Sequence, residues 1–250
     1  MTADAAAASS ADASTEGPPA GSVAESVAGS VAGSVAGPPS EAPSLALPFD
    51  AEAIEREPIV TERLLIRPLV ADDSDDVWEY QRLPEVLRYI PWPERSRDEA
   101  HEHTMRRVGS RLLAEDGDNV HVAMVLVGEP SPTGSGRDRV VGDVMVRVAS
   151  VEHARLELGW VLHPDFQGRG LAAEATAAVL AFAFDTLQAH RVLAELIPAN
   201  TASARLCLRL GMRHEATFVE EEYDRVAGRW LDMAYYGILR REHTAARLAG

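Results

Sequence analysis

The chain has 250 residues, of which 46% are hydrophobic, and its 39 acidic and 24 basic residues give a formal net charge of −15. This acidic balance argues against general nucleic-acid binding, which requires clustered cations, and weakly favours cationic small molecules or basic peptides through electrostatic steering. The single cysteine, Cys207, excludes an internal disulfide framework and agrees with a cytoplasmic location, which we predict.

Residues 1–57 are rich in Ala, Ser, Gly and Pro and contain Ser-Val-Ala-Gly repeats that end at Gly37. Such a segment buries too little apolar surface to offset its ordering entropy, so we predict that residues 1–57 are disordered. The start has neither the positive region nor the long apolar run of a secretory signal. The sequence also lacks a run of about 20 apolar residues that could span a bilayer, so no membrane association is expected.

A folded domain is predicted over residues 58–243. Its first strand runs from Thr61 to Leu69. The helix that follows begins with the carboxylates of residues 72–76, which suit the positive end of a helix dipole better than a metal site. A capping box formed by Ser96 and Glu99 starts a second helix, predicted to end near residue 114.

Two strands over residues 120–127 and 139–149 predict an antiparallel hairpin around a Gly/Pro/Ser-rich loop, residues 128–136. A buried strand over 156–162 then leads through a Gly-rich turn into a helix that ends near residue 188. The later predicted elements are a strand over 191–197, a helix over 200–210 that starts at Asn200 and stops at Gly211, and strands over 217–223 and 229–239. The pattern predicts a single α/β domain with a mixed sheet, and residues 244–250 form a C-terminal extension.

The Gly-rich turn after the strand over 156–162 is the most informative stretch. A helix that starts at such a turn presents free backbone N–H groups and the positive end of its dipole, which together bind phosphate. Gly168 and Gly170 remove the Cβ atoms that would keep a pyrophosphate away from these amides. The turn therefore predicts a phosphate-bearing cofactor, although an ordinary β-to-α turn remains an alternative.

The spacing Gly168-x-Gly170-x-x-Ala173 also matches a loose dinucleotide fingerprint. That interpretation requires an acidic residue at the end of the next strand to hold the ribose. The strand over 191–197 ends without one, which argues against a nicotinamide cofactor.

Several motifs in order resemble the GNAT N-acetyltransferase superfamily, and in detail its RimJ/RimL branch of ribosomal-protein N-terminal acetyltransferases. The motifs are Thr61-Glu62-Arg63-Leu64, Glu157-Leu158-Gly159-Trp160, Gln167-x-x-Gly170-x-Ala172, Asn200-x-x-Ser203, Leu210-Gly211-Met212 and Trp230-Leu231-Asp232. The resemblance covers roughly residues 60–243 and implies a GNAT-type mixed central sheet of about seven strands flanked by about four helices. It also implies acetyl-CoA as the acetyl donor and a reaction that needs no metal.

The resemblance assigns the cofactor to the backbone of the Gly-rich turn, the helix start and the end of the preceding strand. The cofactor-binding residues predicted in this way are Val161, Leu162, Gln167, Gly168, Arg169, Gly170, Leu171, Ala172 and Asn200.

Acetyl transfer to an amine needs a proton acceptor and a proton for the leaving thiolate. Glu157 shares one strand face with Gly159, Val161 and His163, so we predict Glu157 as the general base, with His163 or water alone as alternatives. By resemblance, Ser203 is the candidate acid.

Three further side chains have weaker assignments. Cys207 is expected to be a core residue, because direct attack by the amine needs no enzyme nucleophile. Trp230 and Asp232 lie on the last predicted strand and could line the acceptor pocket.

The main hypothesis for the acceptor is the N-terminal α-amine of a protein or peptide, such as a ribosomal protein. An α-amine, with a reference pKa of about 7.7–8.0, makes weaker demands on a base than a lysine. The alternatives are a small amine (a polyamine or an aminoglycoside) and a non-catalytic acyl-CoA-binding module. The sequence leaves open whether the protein is a monomer or a homodimer.

Overall fold

The computed structural model describes residues 43–90 and 92–249. Its strands are β1 (Phe49–Asp50), β2 (Ile59–Val60), β3 (Leu64–Pro68), β4 (Leu112–Leu113), β5 (Asn119–Pro130), β6 (Asp138–Ser150), β7 (Arg155–Leu162), β8 (Arg191–Leu196), β9 (Arg213–Asp224) and β10 (Arg229–Leu239). Its helices are α1 (Glu52–Arg56), α2 (Ser74–Gln81), α3 (Pro84–Leu87), α4 (Arg97–Gly109), α5 (Leu171–Asp185), α6 (Thr201–Arg209) and α7 (Arg240–Ala249). Short 3-10 helices cover Ala71–Asp73 and Pro164–Phe166.

Eight strands form the central sheet, in the spatial order β2-β3-β5-β6-β7-β8-β10-β9. Strands β7 and β8 run parallel, and the other neighbours pair antiparallel. The parallel connection passes through α5, because parallel neighbours need a long crossover. The predicted mixed α/β fold is confirmed, and the short edge strand β2 brings the sheet to eight strands.

The pairing of β7 with β8 ends early. Their parallel register runs only as far as the pair of Glu157 with Leu193. Beyond that pair β7 continues to Leu162 beside β6, and β8 continues to Leu196 beside β10. The two strands therefore separate towards their C-terminal ends and leave an opening in the sheet.

Side chains from β5 pack into two apolar clusters, one on each face of the sheet. Val122 and Met124 belong to the larger cluster, which includes the buried face of α5, whereas Ala123 and Val125 belong to a smaller cluster that α2 covers with Tyr80. Successive residues of a strand point to opposite faces, so β5 contributes alternately to both clusters. Helix α5 lies on one face and α2 on the other.

The predicted start of order at residue 58 is wrong. Leu45, Ala51 and Ile54 are buried in the larger cluster, and the backbone N–H of Ala46 donates to the carbonyl of Leu187 at 2.9 Å. The composition of residues 1–57 concealed these few apolar anchors, which dock α1 and β1 onto the domain. The remainder of the predicted disordered tail, residues 1–42, lies outside the described residues.

Two other boundaries differ from the prediction. The capping box of Ser96 and Glu99 is present, but α4 ends at Gly109, because the chain then turns and Leu112–Leu113 pairs with β1. Residues 240–249 form α7, where only a short extension was expected.

The carboxylates at the start of α2 serve the packing of the domain. Asp73 is buried and accepts hydrogen bonds from Arg67 Nη1 at 2.7 Å and Arg67 Nη2 at 2.8 Å. Asp76 is also buried and accepts from the Val140 N–H at 3.0 Å and from Ser131 Oγ at 2.6 Å. These bonds join α2 to β3 and β6.

The docking of residues 45–57 yields a stability prediction. Ile54 is 3% exposed, so Ile54→Ala should lower the free energy of unfolding by about 2–5 kcal/mol, the usual cost of such a buried truncation. Urea denaturation measures the loss. The exposed Glu57→Ala on the same segment is the control and should change stability by less than about 0.5 kcal/mol. Equal stability of the two variants would mean that this segment does not contribute to the core.

Candidate active site

Two connected clefts lie at the opening between β7 and β8. The loop cleft, of 460 Å³, contains the Gly-rich turn and the first turn of α5. The acidic cleft, of 260 Å³, contains three glutamates, Glu157, Glu195 and Glu222. The clefts share the lining residues Tyr89, Ile90, Trp160, Val161, Asn200 and Ser203.

The loop cleft presents free backbone amides at the start of α5. Gly168 and Gly170 have φ angles of +73° and +81°, a region that favours glycine. The first backbone hydrogen bond of the helix runs from the Glu174 N–H to the Gly170 carbonyl at 3.0 Å. The N–H groups of residues 171–173 therefore have no acceptor within the helix, and this geometry suits an anion such as a pyrophosphate.

Glu174 holds the Gly-rich turn against the chain segment between β2 and β3. It accepts hydrogen bonds from Thr61 Oγ1 at 2.6 Å, the Arg63 N–H at 2.8 Å and Arg63 Nε at 2.7 Å. Arg63 Nη1 in turn donates to the Arg169 carbonyl at 2.8 Å. Glu174 and Arg63 together anchor the turn.

Nearly all of the predicted cofactor-binding residues line the loop cleft. Those that do are Val161, Leu162, Gln167, Gly168, Gly170, Leu171, Ala172 and Asn200. The exception is Arg169, which lies outside this lining. Its guanidinium carbon lies 5.2 Å from the centre of the Phe166 ring.

Ser203 lies where the two clefts meet. Its backbone N–H donates to Asn200 Oδ1 at 3.1 Å, so Asn200 is the predicted N-cap of α6. Trp160 Nε1 donates to Ser203 Oγ at 3.3 Å. Because the hydroxyl oxygen accepts from the indole, its own proton remains available to a group bound at the junction.

The three glutamates of the acidic cleft differ in their environments. Glu157 forms an ion pair with Arg147, whose Nη2 lies 2.6 Å from Glu157 Oε2. Burial, and then the nearby charge of Glu157, raise the pKa of Glu195 to about 7. Burial and Glu157 also raise the pKa of Glu222. Glu195 is therefore a carboxylate that can exchange a proton near neutral pH.

A buried polar network forms the opposite wall of the acidic cleft. Tyr80 Oη donates to Asp143 Oδ2 at 2.5 Å, and Arg107 pairs with the other oxygen of Asp143. Arg107 Nη2 also lies 3.0 Å from His121 Nδ1. Burial raises the pKa of Asp143, but the charge of Arg107 together with His121 and the hydrogen bond from Tyr80 outweighs burial and lowers that pKa to about 2, so Asp143 is ionised.

Three residues discussed as candidates lie away from the clefts. His163 accepts a hydrogen bond from the Asp165 N–H at 3.2 Å, and burial lowers its pKa, so it caps a 3-10 helix and does not line either cleft. Trp230 is 56% exposed and Asp232 accepts from the Glu220 N–H at 2.9 Å. Their neighbours Leu231 and Met233 line the acidic cleft, because adjacent residues of β10 face opposite sides of the sheet.

Cys207 is buried, as expected of a core residue, and burial raises the pKa of its thiol to about 12. A thiol in this environment is not a nucleophile at neutral pH.

The sequence interpretation missed Glu195, His121 and Trp160 as cleft residues. Glu195 lies two residues beyond Leu193, the partner of Glu157. A strand was predicted here, and with knowledge of which strands are neighbours this spacing would have placed Glu195 on the face of Glu157.

Comparisons with known proteins agree on one family. The family model described as an acetyltransferase (GNAT) domain matches residues 63–213. The chain is 30% identical over 184 residues to the uncharacterized N-acetyltransferase YnaD of Bacillus subtilis, a match that covers 74% of this chain and 98% of the relative. A crystal structure of a GNAT-family acetyltransferase from Bacillus anthracis is 30% identical with a TM-score of 0.62, covering 74% of this chain and 99% of that one.

A shorter match links the chain to an enzyme with a named substrate. It is 30% identical over 90 residues to the Escherichia coli enzyme named ribosomal protein uS5-alanine N-acetyltransferase, which covers 36% of this chain and 45% of the relative.

The anchoring of the Gly-rich turn yields a pH-dependent prediction. Burial raises the pKa of Glu174, but its bonds to Thr61 and Arg63 outweigh this effect and leave the pKa below its usual value. The stabilisation by Glu174 is therefore present at neutral pH and is lost as the pH falls through the lowered pKa. Glu174→Gln should cost about 1–3 kcal/mol of unfolding free energy at pH 7, the usual effect of breaking such bonds, and progressively less towards pH 3.

Denaturation of both proteins across this pH range measures the difference. Glu62→Gln, an exposed neighbour of Arg63, is the matched control and should leave stability unchanged at each pH. A loss that stays constant with pH would show that the charge of Glu174 does not stabilise the turn.

Proposed function

Because the chain belongs to the GNAT acetyltransferase family and is an N-acetyltransferase, we propose that it transfers the acetyl group of acetyl-CoA to the N-terminal α-amine of a protein or peptide. One observation carries the proposal: an anion-binding helix start and a carboxylate-lined cleft open into each other at Trp160, Val161, Asn200 and Ser203. The first suits a phosphate-bearing donor and the second suits a cationic acceptor.

The loop cleft is the proposed site of acetyl-CoA, which supplies the activated thioester. The backbone amides of residues 168–172 would hold its pyrophosphate, and Arg205 and Arg209 add positive charge to the same cleft. Beyond Glu157, the side of β7 that faces β8 has no strand partner. Val161 and Leu162 lie on this unpaired stretch, whose peptide groups on the open side can pair with the amides of the pantetheine arm.

The acidic cleft is the proposed site of the amine. Formation of the new C–N bond releases a proton from the nitrogen, and cleavage of the C–S bond leaves a thiolate that needs one. Glu195 is the proposed proton acceptor, because a carboxylate with a pKa of about 7 can take a proton from an amine at neutral pH. Ser203 Oγ, held by Trp160 at 3.3 Å, is the proposed donor to the thiolate.

Glu157, the base proposed from the sequence, has a different part in this arrangement. It forms an ion pair with Arg147, and its charge helps to raise the pKa of Glu195. We therefore assign Glu157 the role of attracting the ammonium form of the acceptor and of tuning Glu195. Glu157 remains the alternative base, and the pH experiment below distinguishes the roles of Glu157 and Glu195.

An acceptor screen tests the choice of substrate. Peptides that begin with alanine or serine, spermidine and an aminoglycoside are each incubated with acetyl-CoA, and the products are identified by mass spectrometry. We expect acetylation of the peptides at the α-amine. Preferential acetylation of spermidine or the aminoglycoside would mean that the acceptor is a small amine and not a peptide. The negative charge of the acidic cleft also suits such amines. Binding of acetyl-CoA without any product would favour a non-catalytic module.

The pH dependence of kcat/KM tests the proton acceptor. Wild-type activity should rise as the pH increases through about 7, where Glu195 loses its proton. In Glu195→Gln this rise should disappear, leaving the rise set by the peptide amine near its reference pKa of about 7.7–8.0. Activity should also fall by about a hundredfold, the usual effect of losing a general base. Glu152→Gln, on an exposed turn outside both clefts, is the control and should keep the wild-type profile. If Glu157→Gln abolishes activity while Glu195→Gln keeps the wild-type profile, Glu157 is the base.

A further inference from the structure

The wall of the acidic cleft opposite the glutamates carries a histidine whose tautomer is fixed by its neighbours. We propose that His121 donates a hydrogen bond from Nε2 to the carbonyl oxygen next to the acceptor amine, and so selects acceptors with an α-aminoacyl end. This inference deepens the proposed function and rests on it.

The tautomer follows from the partner of Nδ1. Arg107 Nη2 lies 3.0 Å from His121 Nδ1, and a guanidinium has only donors, so Nδ1 must accept. The nearest oxygen of Asp143 is 3.7 Å from the same nitrogen, too far for a competing hydrogen bond. The ring proton therefore resides on Nε2. Burial, and then the charge of Arg107, lower the pKa of His121 to about 4, so the ring is neutral at pH 7.

The N–H group at Nε2 of His121 faces the acidic cleft. The His121 side chain is 12% exposed and lines the acidic cleft. Within the described residues Nε2 has no hydrogen-bond partner, and it is not among the fully enclosed polar atoms that lack one. The N–H group can therefore meet a ligand in the cleft. A histidine in this state is a donor and not a base.

The strand register places His121 within reach of the reacting amine. His121 pairs with Met145 across β5 and β6, and Met145 pairs with Gly159 across β6 and β7. Neighbouring strands are about 4.8 Å apart, so the Cα atoms of His121 and Gly159 are about 10 Å apart. Glu157 lies two residues from Gly159 on the same face. The floor between donor and carboxylates is Met145, whose Cε lies 3.5 Å from the position of a Cβ on Gly159.

The two walls of the cleft thus present opposite hydrogen-bonding groups. Carboxylates on β7, β8 and β9 attract an ammonium group, and the N–H of His121 on β5 requires an acceptor atom. An α-aminoacyl group carries its carbonyl oxygen close to the amine and satisfies both walls. A polyamine has no such oxygen and would leave the buried donor unpaired, which costs binding energy.

The test compares two substrates of the same shape. One is a peptide that begins with alanine, and the other is the same peptide with its first peptide bond replaced by a trans-alkene, which removes the carbonyl oxygen. We expect wild-type protein to prefer the amide peptide by about tenfold in kcat/KM, the effect of one hydrogen bond. The comparison uses wild-type protein, so it stands whether or not a His121 variant folds.

Variants then assign the preference to His121. His121→Phe should lower kcat/KM for the amide peptide about tenfold and leave the alkene peptide unchanged, because only the first loses a hydrogen bond. His121→Gln keeps a donor and an acceptor and should restore most of the preference. His153→Phe, on an exposed turn outside both clefts, is the control.

Each outcome has a separate meaning. Equal rates for the two peptides with wild-type protein would overturn the role of His121 and leave N-terminal acetylation standing. Equal losses on both peptides in His121→Phe would show that the ring only supports the fold. Acetylation of spermidine with neither peptide modified would overturn both proposals.

Discussion

The early end of the hydrogen bonding between β7 and β8 is the feature on which both clefts depend. The strands are paired as far as Glu157 and Leu193 and separate beyond them. Separation leaves β7 without a neighbouring strand on one side around Val161 and Leu162, and it brings the side chains of β7 and β8 to a shared opening. A sheet paired along its full length would have no space between the Gly-rich turn and the glutamates.

Burial of charge gives the two walls of the acidic cleft their different properties. Asp143 is buried but ionised, because Arg107 pairs with it and Tyr80 donates to it. Breaking such a network by removing one partner is costly, so it fixes its members in place. Burial and the charge of Glu157 both disfavour the ionised form of Glu195, so its pKa rises to about 7. Asp143 on one wall therefore stays ionised at neutral pH, whereas Glu195 on the other wall can exchange a proton.

The parts of this structure that depend on local sequence were predictable. The capping box of Ser96 and Glu99, the N-cap Asn200 and the Gly-rich turn each depend on residues within one turn of the chain. The parts that depend on long-range pairing were not. Placing Glu195 in the cleft requires the order of the strands, and placing Trp230 outside the cleft requires knowing which face of β10 it lies on. The anchoring of residues 45–57 depends on a few buried side chains that composition alone conceals.

Calorimetric titration with acetyl-CoA tests the central claim most directly. Wild-type protein should bind acetyl-CoA and should not bind NAD. Gly170→Glu places a charged side chain at the positive-φ start of α5 and should abolish binding. Gly134→Glu makes the same change at another glycine with positive φ, outside both clefts, and should bind as wild type does. Failure of the folded wild-type protein to bind acetyl-CoA, or unchanged binding by Gly170→Glu, would contradict the assignment of the loop cleft to the donor.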